Sequence, residues 1–182
     1  MQFLPTEIKD VVVVEPEIFG DQRGFFMETW HARKFAEAGI CADFVQDNHS
    51  RSRQGILRGL HYQTQQPQGK LVRVVQGEVF DVAVDLRSSS LTFGRWVGFI
   101  LSESNRKMLW IPPGFAHGFY VLSPTAELVY KCTDFYAPAF ERTLIWNDTD
   151  VKISWPLLGG AAPELSEKDA AGVTFKNAEC YP

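Results

Sequence analysis

The chain has 182 residues, of which 45% are hydrophobic, enough to fill the core of one domain. The formal net charge is −4 and no block of like charges stands out, so neither nucleic acid nor an anionic membrane surface is expected as a partner. No apolar run approaches the roughly 20 residues of a membrane span, and the first residues lack the pattern of a signal peptide. Three widely spaced cysteines without a CxxC pair favour a reducing cytoplasm. We therefore expect one cytoplasmic domain over residues 1–182.

Short β-type runs follow one another along the chain, separated by turn signals rich in Pro, Gly, Ser and Asn. A helix is predicted over 31–38, before the helix-stop residue Gly39, and a capped helical turn over 166–170. This order predicts an all-β, antiparallel sandwich or barrel with few helices. The predicted strands cover residues 11–14, 24–30, 44–50, 71–75, 79–86, 96–101, 107–111, 118–122, 127–132 and 143–146.

Two fragments carry the most specific pattern. The first, residues 55–63, contains His61 and Gln63, and the second ends in His117 after a Pro-Pro-Gly turn. They resemble the paired motifs of the cupin superfamily of small β-barrels, whose metal-binding members present three histidines and a glutamate to one cation. In this chain Gln63 replaces a histidine and Lys70 aligns with the acidic position, and a charged lysine would repel a cation. We therefore expect an acid–base site without a metal ion at the barrel mouth.

Three residues could carry the chemistry, two by proton transfer and one by stabilising negative charge, although each also has a structural interpretation. His61 is the side chain type best matched to accept and return a proton near neutral pH, or it is a hydrogen-bonded strand residue. Lys70 could stabilise a developing oxyanion, an effect worth roughly 3–4 kcal/mol for a positioned donor, or it is a solvated lysine at a strand start. Tyr130 could protonate the opposite face of a carbanion, or it is a core tyrosine.

Asp169 allows two interpretations that spacing alone does not separate. The Ser166-x-x-Asp169 spacing matches a capping box, so the carboxylate could only satisfy a helix end. Alternatively, the C-terminal segment folds back and Asp169 orients His61 in the tautomer that a base requires.

Taken together, these motifs resemble those of the dTDP-4-dehydrorhamnose 3,5-epimerases over nearly the whole chain. The resemblance implies a cupin-type antiparallel jelly-roll barrel with a few short helices, free of metal and cofactor. It also implies an isomerase that inverts C3 and C5 of dTDP-4-dehydro-6-deoxy-D-glucose through an enolate, giving dTDP-4-dehydro-L-rhamnose for dTDP-L-rhamnose and cell-envelope polysaccharide. The matching blocks are residues 19–26, 44–50, 55–63, 68–73, 77–87, 111–119 and 165–169.

The resemblance further implies a homodimer and a role for individual residues. His61 corresponds to the base and Asp169 to its partner. Tyr130 corresponds to the acid at C5, and Lys70 to the enolate stabiliser. Family members often exchange N-terminal strands, which would place Phe19 and Arg23 at the partner's site. The substrate-binding positions are Phe19, Arg23, Glu28, Gln46, Asn48, Arg58, His117 and Tyr136, of which Phe19 and Tyr136 lie near the nucleotide.

Three other functions stay open on the sequence. The nearest is a monoepimerase that acts on a related dTDP-4-keto sugar at C5 or C3 only. A second is a metal-dependent cupin isomerase or oxygenase, and a third is a non-catalytic module that binds sugar nucleotides. A Rossmann site or a P-loop is not expected, because the chain has no GxGxxG and no GxxxxGK[ST] motif.

Overall fold

The computed structural model describes residues 1–182 as thirteen strands, two short α-helices and three 3₁₀ turns. The strands are β1 (Gln2–Pro5), β2 (Val12–Glu15), β3 (Ile18–Asp21), β4 (Gly24–Met27), β5 (Gln46–Arg53), β6 (Leu57–Gln63), β7 (Lys70–Gln76), β8 (Glu78–Asp85), β9 (Trp96–Ser102), β10 (Met108–Ile111), β11 (Phe115–Val121), β12 (Thr125–Cys132) and β13 (Glu141–Thr143). The helices are α1 (Ala32–Glu37) and α2 (Glu167–Ala170), and the 3₁₀ turns are Pro138–Phe140, Leu158–Gly160 and Phe175–Asn177.

Two antiparallel sheets form the body of the fold. The larger sheet has the strand order β1-β2-β10-β7-β12-β5, and the smaller has the order β13-β6-β11-β8-β9. Every strand pairing within them is antiparallel. Strands β3 and β4 form a separate two-stranded hairpin. The predicted antiparallel jelly-roll architecture is confirmed.

The core lies between the two sheets, and a second apolar layer covers the outer face of the smaller one. Sixteen buried residues, including Val72 and Leu128 from the larger sheet and Phe119 from the smaller, form the inner cluster. The outer cluster packs β6, β8 and β11 against the C-terminal segment, with Phe175 and Tyr181 at its edge. Strand β11 is therefore buried at all seven positions, because it has a packed layer on each face.

Most strand boundaries differ from the prediction by one to three residues, and strand pairing explains three of these differences. The strand predicted over 24–30 ends at Met27, because β4 pairs only with the four residues of β3, a strand that was not predicted. The strand predicted over 118–122 begins at Phe115, where the ladder with β8 starts. The strand predicted over 143–146 is wrong in its bounds, because β13 pairs with β6 two residues earlier. Strand β1, which pairs with β2 at the sheet edge, and strand β6, which carries His61, were also not among the predicted strands.

Both predicted helices are present and short. Helix α1 starts after His31 and buries Phe35. Helix α2 follows Ser166, whose hydroxyl oxygen accepts the backbone N–H of Asp169 at 3.1 Å, the expected N-cap bond. The longest α-helix has six residues, so no helix of this fold could cross a membrane.

Asp85 ends β8 as a fully buried carboxylate that holds the following turn together. Its oxygens accept hydrogen bonds from Arg87 Nε at 2.8 Å, Ser90 Oγ at 2.7 Å and Thr92 Oγ1 at 2.6 Å. Burial alone would raise the pKa of this carboxyl group, but these donors outweigh burial and lower the pKa to about 2.

We expect Asp85→Asn to lower the free energy of unfolding by about 3 kcal/mol at pH 7, because it leaves the partly buried Arg87 without its fully buried carboxylate partner. The folded-state pKa is depressed, so this stabilisation is present above about pH 4 and is lost as the pH falls toward about 2. Urea unfolding at a series of pH values measures the difference between the two proteins. Asp10→Asn is the control, since it removes an exposed partner of the same arginine and should cost less than about 1 kcal/mol. A difference that stayed constant between pH 7 and pH 2.5 would contradict the assignment.

Candidate active site

A cavity of about 270 Å³ opens between the two sheets, on the side where β5 and β13 form the sheet edges. Strands β5, β7 and β12 of the larger sheet and β6 and β13 of the smaller one all contribute to its wall. The lining residues are Gln46, Asn48, His61, Tyr62, Gln63, Gln68, Lys70, Tyr130, Tyr136 and Glu141. Three of the four predicted catalytic residues, and three of the eight predicted binding residues, therefore share one cavity.

His61 is oriented by Asp169, which lies directly behind it. The imidazole Nε2 is 2.6 Å from Asp169 Oδ1, across 108 residues of sequence. Asp169 is 4% exposed, and burial alone would raise its pKa. Hydrogen bonds from His61, from the Ser166 hydroxyl and from the Gly59 N–H outweigh burial and lower the pKa, so the carboxylate is ionised and can only accept. The proton of the neutral imidazole therefore sits on Nε2, which leaves the Nδ1 lone pair as the proton acceptor.

The two interpretations of Asp169 turn out to be compatible. Its backbone N–H donates to Ser166 Oγ as part of the helix cap, and the same hydroxyl donates to Asp169 Oδ2 at 2.8 Å. The capped turn fixes the side chain while the other carboxylate oxygen reaches His61.

Backbone pairing carries α2 to the cavity. Glu164 forms a parallel bridge with Ile56 just before β6, and Val173 forms another with Leu144 just after β13. The helix therefore lies between two points at which the C-terminal segment is tied to the smaller sheet.

Lys70 is a buried ammonium at the start of β7, not the solvated lysine of the structural interpretation. It is 8% exposed and forms no salt bridge. Burial lowers the pKa of Lys70, while the neighbouring carboxylates of Asp81 and Glu141 act in the opposite direction. A desolvated cation in a cavity wall interacts strongly with any negative charge that forms beside it.

Tyr130 lies on β12 opposite Asn48 and faces the same cavity. Burial raises the pKa of Tyr130 to about 12, and the positive charge of Arg58 lowers it in part. The phenol therefore keeps its proton at neutral pH and can act as an acid. Arg58 itself is exposed, and its Nε donates to Ser52 Oγ at 2.8 Å, which holds the guanidinium near the rim.

Two residues at the positions that correspond to metal ligands in other cupins, His117 and Gln63, bond to protein groups. His117 is 6% exposed and its Nε2 lies 2.9 Å from Asp81 Oδ2, so this pair is buried beside the cavity. Gln63 uses its amide for backbone hydrogen bonds. The structure contains no group of three or more His, Cys, Asp or Glu side chains placed to hold a metal ion.

Glu141 lines the cavity and was missed by the sequence analysis, as was Lys168, its ion-pair partner. Glu141 Oε1 lies 2.6 Å from Lys168 Nζ, and Tyr136 Oη donates to Glu141 Oε2 at 2.7 Å. Burial alone would raise the pKa of Glu141, but these two donors outweigh burial and lower it. The signal was obscured because β13 was predicted two residues too late, which left Glu141 in a loop.

Phe19, Arg23 and Glu28 do not line this cavity. Phe19 and Arg23 belong to the β3–β4 hairpin, where Arg23 Nη2 pairs with Asp21 at 2.5 Å and its side chain is 90% exposed. Glu28 follows the hairpin and pairs with Lys34 at 2.8 Å. Within one chain, the predicted binding set is therefore divided between two places.

Comparison with known proteins gives consistent matches over almost the full chain. The model of a family described as dTDP-4-dehydrorhamnose 3,5-epimerase matches residues 5–177. A relative of that description from Pseudomonas aeruginosa is 60% identical over 176 residues, 96% of each chain. Another from Shigella flexneri is 55% identical over 183 residues, which covers 100% of this chain and 99% of the relative.

Solved structures agree. A 3,5-epimerase from Legionella pneumophila in complex with dTDP-4-keto-L-rhamnose has a TM-score of 0.94 at 53% identity, and the match covers 98% of this chain and 94% of that one. A 3'-monoepimerase from Streptomyces bikiniensis in complex with dTDP-quinovose has a TM-score of 0.87 at 34% identity, covering 94% and 87%. The predicted cupin-type fold is confirmed by these likenesses.

We expect Lys70→Met to raise the free energy of unfolding by about 1–2 kcal/mol at pH 7, because a similar-sized apolar side chain replaces a buried, unpaired cation. The folded-state pKa lies below the ordinary value of 10.5, so the wild type regains stability as the pH rises from the folded pKa toward 10.5. The advantage of the variant should shrink over that range, as measured by urea unfolding. Lys107→Met, at an exposed lysine paired with Glu15, is the control and should show no such gain. A destabilised Lys70→Met protein would mean that the ammonium is well compensated.

Proposed function

The chain belongs to the dTDP-4-dehydrorhamnose 3,5-epimerase family and is an isomerase, and we propose that it converts dTDP-4-dehydro-6-deoxy-D-glucose to dTDP-4-dehydro-L-rhamnose. The observation that carries this proposal is the bond between His61 and Asp169 in the same cavity as Lys70 and Tyr130. We further propose that residues 1–182 act as one domain in the cytoplasm, in dTDP-L-rhamnose biosynthesis for cell-envelope polysaccharide, without a metal or cofactor.

The reaction begins with removal of a proton next to the C4 ketone. His61 Nδ1 accepts the proton from C5, and in a second round from C3, while its Nε2–H remains bonded to the Asp169 carboxylate. The imidazolium that forms is stabilised by that carboxylate. The electron pair of the broken C–H bond moves into the ring, and negative charge develops on the ketone oxygen.

Lys70 meets this negative charge. A positioned donor at a developing oxyanion typically contributes roughly 3–4 kcal/mol, and the burial of Lys70 removes the water that would weaken the interaction in solution. The lysine thus serves the electrostatic purpose that a bound cation serves in metal-containing enzymes.

Tyr130 completes inversion at C5. The enolate electron pair takes the phenolic proton on the face opposite His61, and the C–H bond reforms with inverted configuration. The sum of the steps is an isomerisation once solvent takes the proton from the His61 imidazolium and returns one to the Tyr130 phenolate, and no electron is gained or lost. The pKa of about 12 means that the tyrosine is fully protonated at the start of each cycle.

Substrate binding is proposed for the polar rim of the cavity. Gln46, Asn48 and Tyr136 line it directly, and Arg58 offers a guanidinium to the diphosphate. His117, held by Asp81, does not line the cavity, and its role in substrate binding stays a prediction. Binding energy from the diphosphate lies far from the reacting carbons and can position the sugar ring.

We propose that the protein is a homodimer with exchanged N-terminal strands, so that Phe19 and Arg23 serve the partner's site, with Glu28 following the same hairpin. The hairpin leaves Phe19, Phe25 and Phe26 between 56% and 70% exposed, an apolar surface suited to burial against a second copy. The hairpin follows Glu15, the last residue of β2. That residue lies at the end of the larger sheet opposite to Lys70, so the hairpin starts far from the Lys70 side of its own chain's cavity.

The alternative is a monoepimerase that stops after C5 or C3. The similarity to the 3'-monoepimerase supports this alternative, because that protein has the same fold. The double epimerase is favoured by the higher identity to relatives described as 3,5-epimerases.

We expect the wild type to incorporate solvent deuterium at both C3 and C5 of the substrate, as followed by NMR, and His61→Asn to abolish both exchanges. Asparagine cannot accept the proton, so a loss of at least about 10³-fold is expected. His49→Asn is the matched control, since His49 is exposed on the same sheet as Tyr130 and pairs with Glu127 away from the cavity. Label at only one carbon in the wild type would identify a monoepimerase, and substantial exchange in His61→Asn would remove His61 as the base.

Strand exchange predicts complementation between inactive subunits. If Arg23 serves the partner's site, mixing Arg23→Ala with His61→Asn chains after denaturation and refolding creates a heterodimer with one intact site. About a quarter of wild-type activity is then expected, because half of the dimers formed from an equal mixture are mixed and each mixed dimer has one intact site of two. Activity no greater than the sum of the separate variants would argue against exchange.

A further inference from the structure

Three glutamine side chains hold one short segment of the cavity wall. This segment, residues 134–137, is called the 134–137 strap. Each of its four residues has a backbone group bonded to a glutamine amide, so the strap is fixed at every position. In order along the strap, Gln68 Nε2 donates to the Asp134 carbonyl at 2.9 Å, Gln63 Nε2 donates to the Phe135 carbonyl at 3.2 Å, the Tyr136 N–H donates to Gln46 Oε1 at 2.8 Å and the Ala137 N–H donates to Gln63 Oε1 at 2.9 Å.

The glutamines reach the strap from both sheets. Gln46 starts β5 of the larger sheet, Gln63 ends β6 of the smaller, and Gln68 lies just before β7. Gln63 is the most buried of them at 4% exposure, and its Nε2 also donates to the Gln66 carbonyl at 2.7 Å. A buried amide with its donors and acceptor all satisfied is costly to disturb, because the freed backbone groups would be left unpaired.

The strap carries Tyr136 into the cavity. The ring of Tyr136 lines the same wall as His61, Lys70 and Tyr130, although it is 52% exposed. Its hydroxyl donates to Glu141 Oε2 at 2.7 Å. The glutamines fix the backbone of this residue and Glu141 fixes the tip of its ring, so an exposed aromatic side chain has one position.

We propose that Gln63, together with Gln46 and Gln68, is a positioning residue that fixes Tyr136 as a wall of the substrate cavity. The inference rests on the proposed function, because the wall matters for rate only if the sugar reacts in this cavity. Gln63 then has a defined task at the position where metal-binding cupins carry a histidine. A displacement of about 1 Å in a positioning group can reduce a rate by up to 10²-fold, so loss of the glutamine bonds to the strap should have a measurable effect.

The experiment uses Gln63→Met, which keeps the volume and removes all three side-chain bonds. Hydrogen–deuterium exchange followed by mass spectrometry should show faster exchange in the peptide that contains the strap, because the Ala137 N–H loses its acceptor. The value of kcat/KM should fall about tenfold, mainly through KM. Gln68→Met removes one bond from a different segment and should change both measurements in the same direction by less. Gln65→Met, at an exposed glutamine two residues from Gln63, is the control and should leave both unchanged.

A double-mutant cycle separates positioning from general damage. In a Tyr136→Ala background, Gln63→Met should reduce kcat/KM less than twofold, because the residue it positions is gone. A full tenfold loss in that background, or unchanged strap exchange in both glutamine variants, would overturn the inference. If the wild type itself fails to exchange sugar protons, the proposed function fails, and the hydrogen–deuterium exchange measurement still decides whether the glutamines hold the strap.

Discussion

The bond between His61 and Asp169 is the contact on which the proposed chemistry depends. It requires β6 to present the imidazole and the C-terminal segment to return past the smaller sheet, so its geometry is a property of the whole fold. Bridges at Ile56 and Leu144 fix the segment on either side of α2. The Ser166 hydroxyl then fixes the carboxylate within the helix cap. The His61–Asp169 bond thus depends on the helix cap and on the sheet pairing, and it determines which imidazole nitrogen carries the proton.

Two buried charges show how differently the fold treats structural and reactive groups. Asp85 is surrounded by donors, which lower its pKa and make it a fixed part of the turn. Lys70 is also buried but has no carboxylate bound to it, and its pKa is lowered by burial. An uncompensated charge weakens the folded state and strengthens any interaction with a transient anion. The destabilising unpaired charge of Lys70 therefore lies at the position where negative charge is proposed to develop.

The sequence predicted much of this arrangement, and the failures have physical causes. Alternation located β8 to within one residue, although its Asp81 and Asp85 are buried against His117 and Arg87 and do not form a solvent-exposed face. It placed the start of β11 three residues late, since a strand that is packed on both faces shows no alternation. Glu141 was missed because its strand has three residues and owes its existence to pairing with β6. The role of Gln63 could not be read from the chain, because two of its three partners are backbone atoms 72 and 74 residues away.

The distance in sequence between His61 and Asp169 also governs when the site can exist. Synthesis proceeds from the N-terminus at roughly 5–20 residues per second, so the 108 residues between them take roughly 5–20 s to add. During that interval the strand that carries the imidazole can already be paired, but nothing orients its ring. The nascent chain therefore passes through a stage in which His61, the proposed base, has been made but Asp169 has not yet been added to orient it. On the proposed mechanism, reactivity toward a keto sugar arises only after α2 has emerged from the ribosome and docked against the smaller sheet.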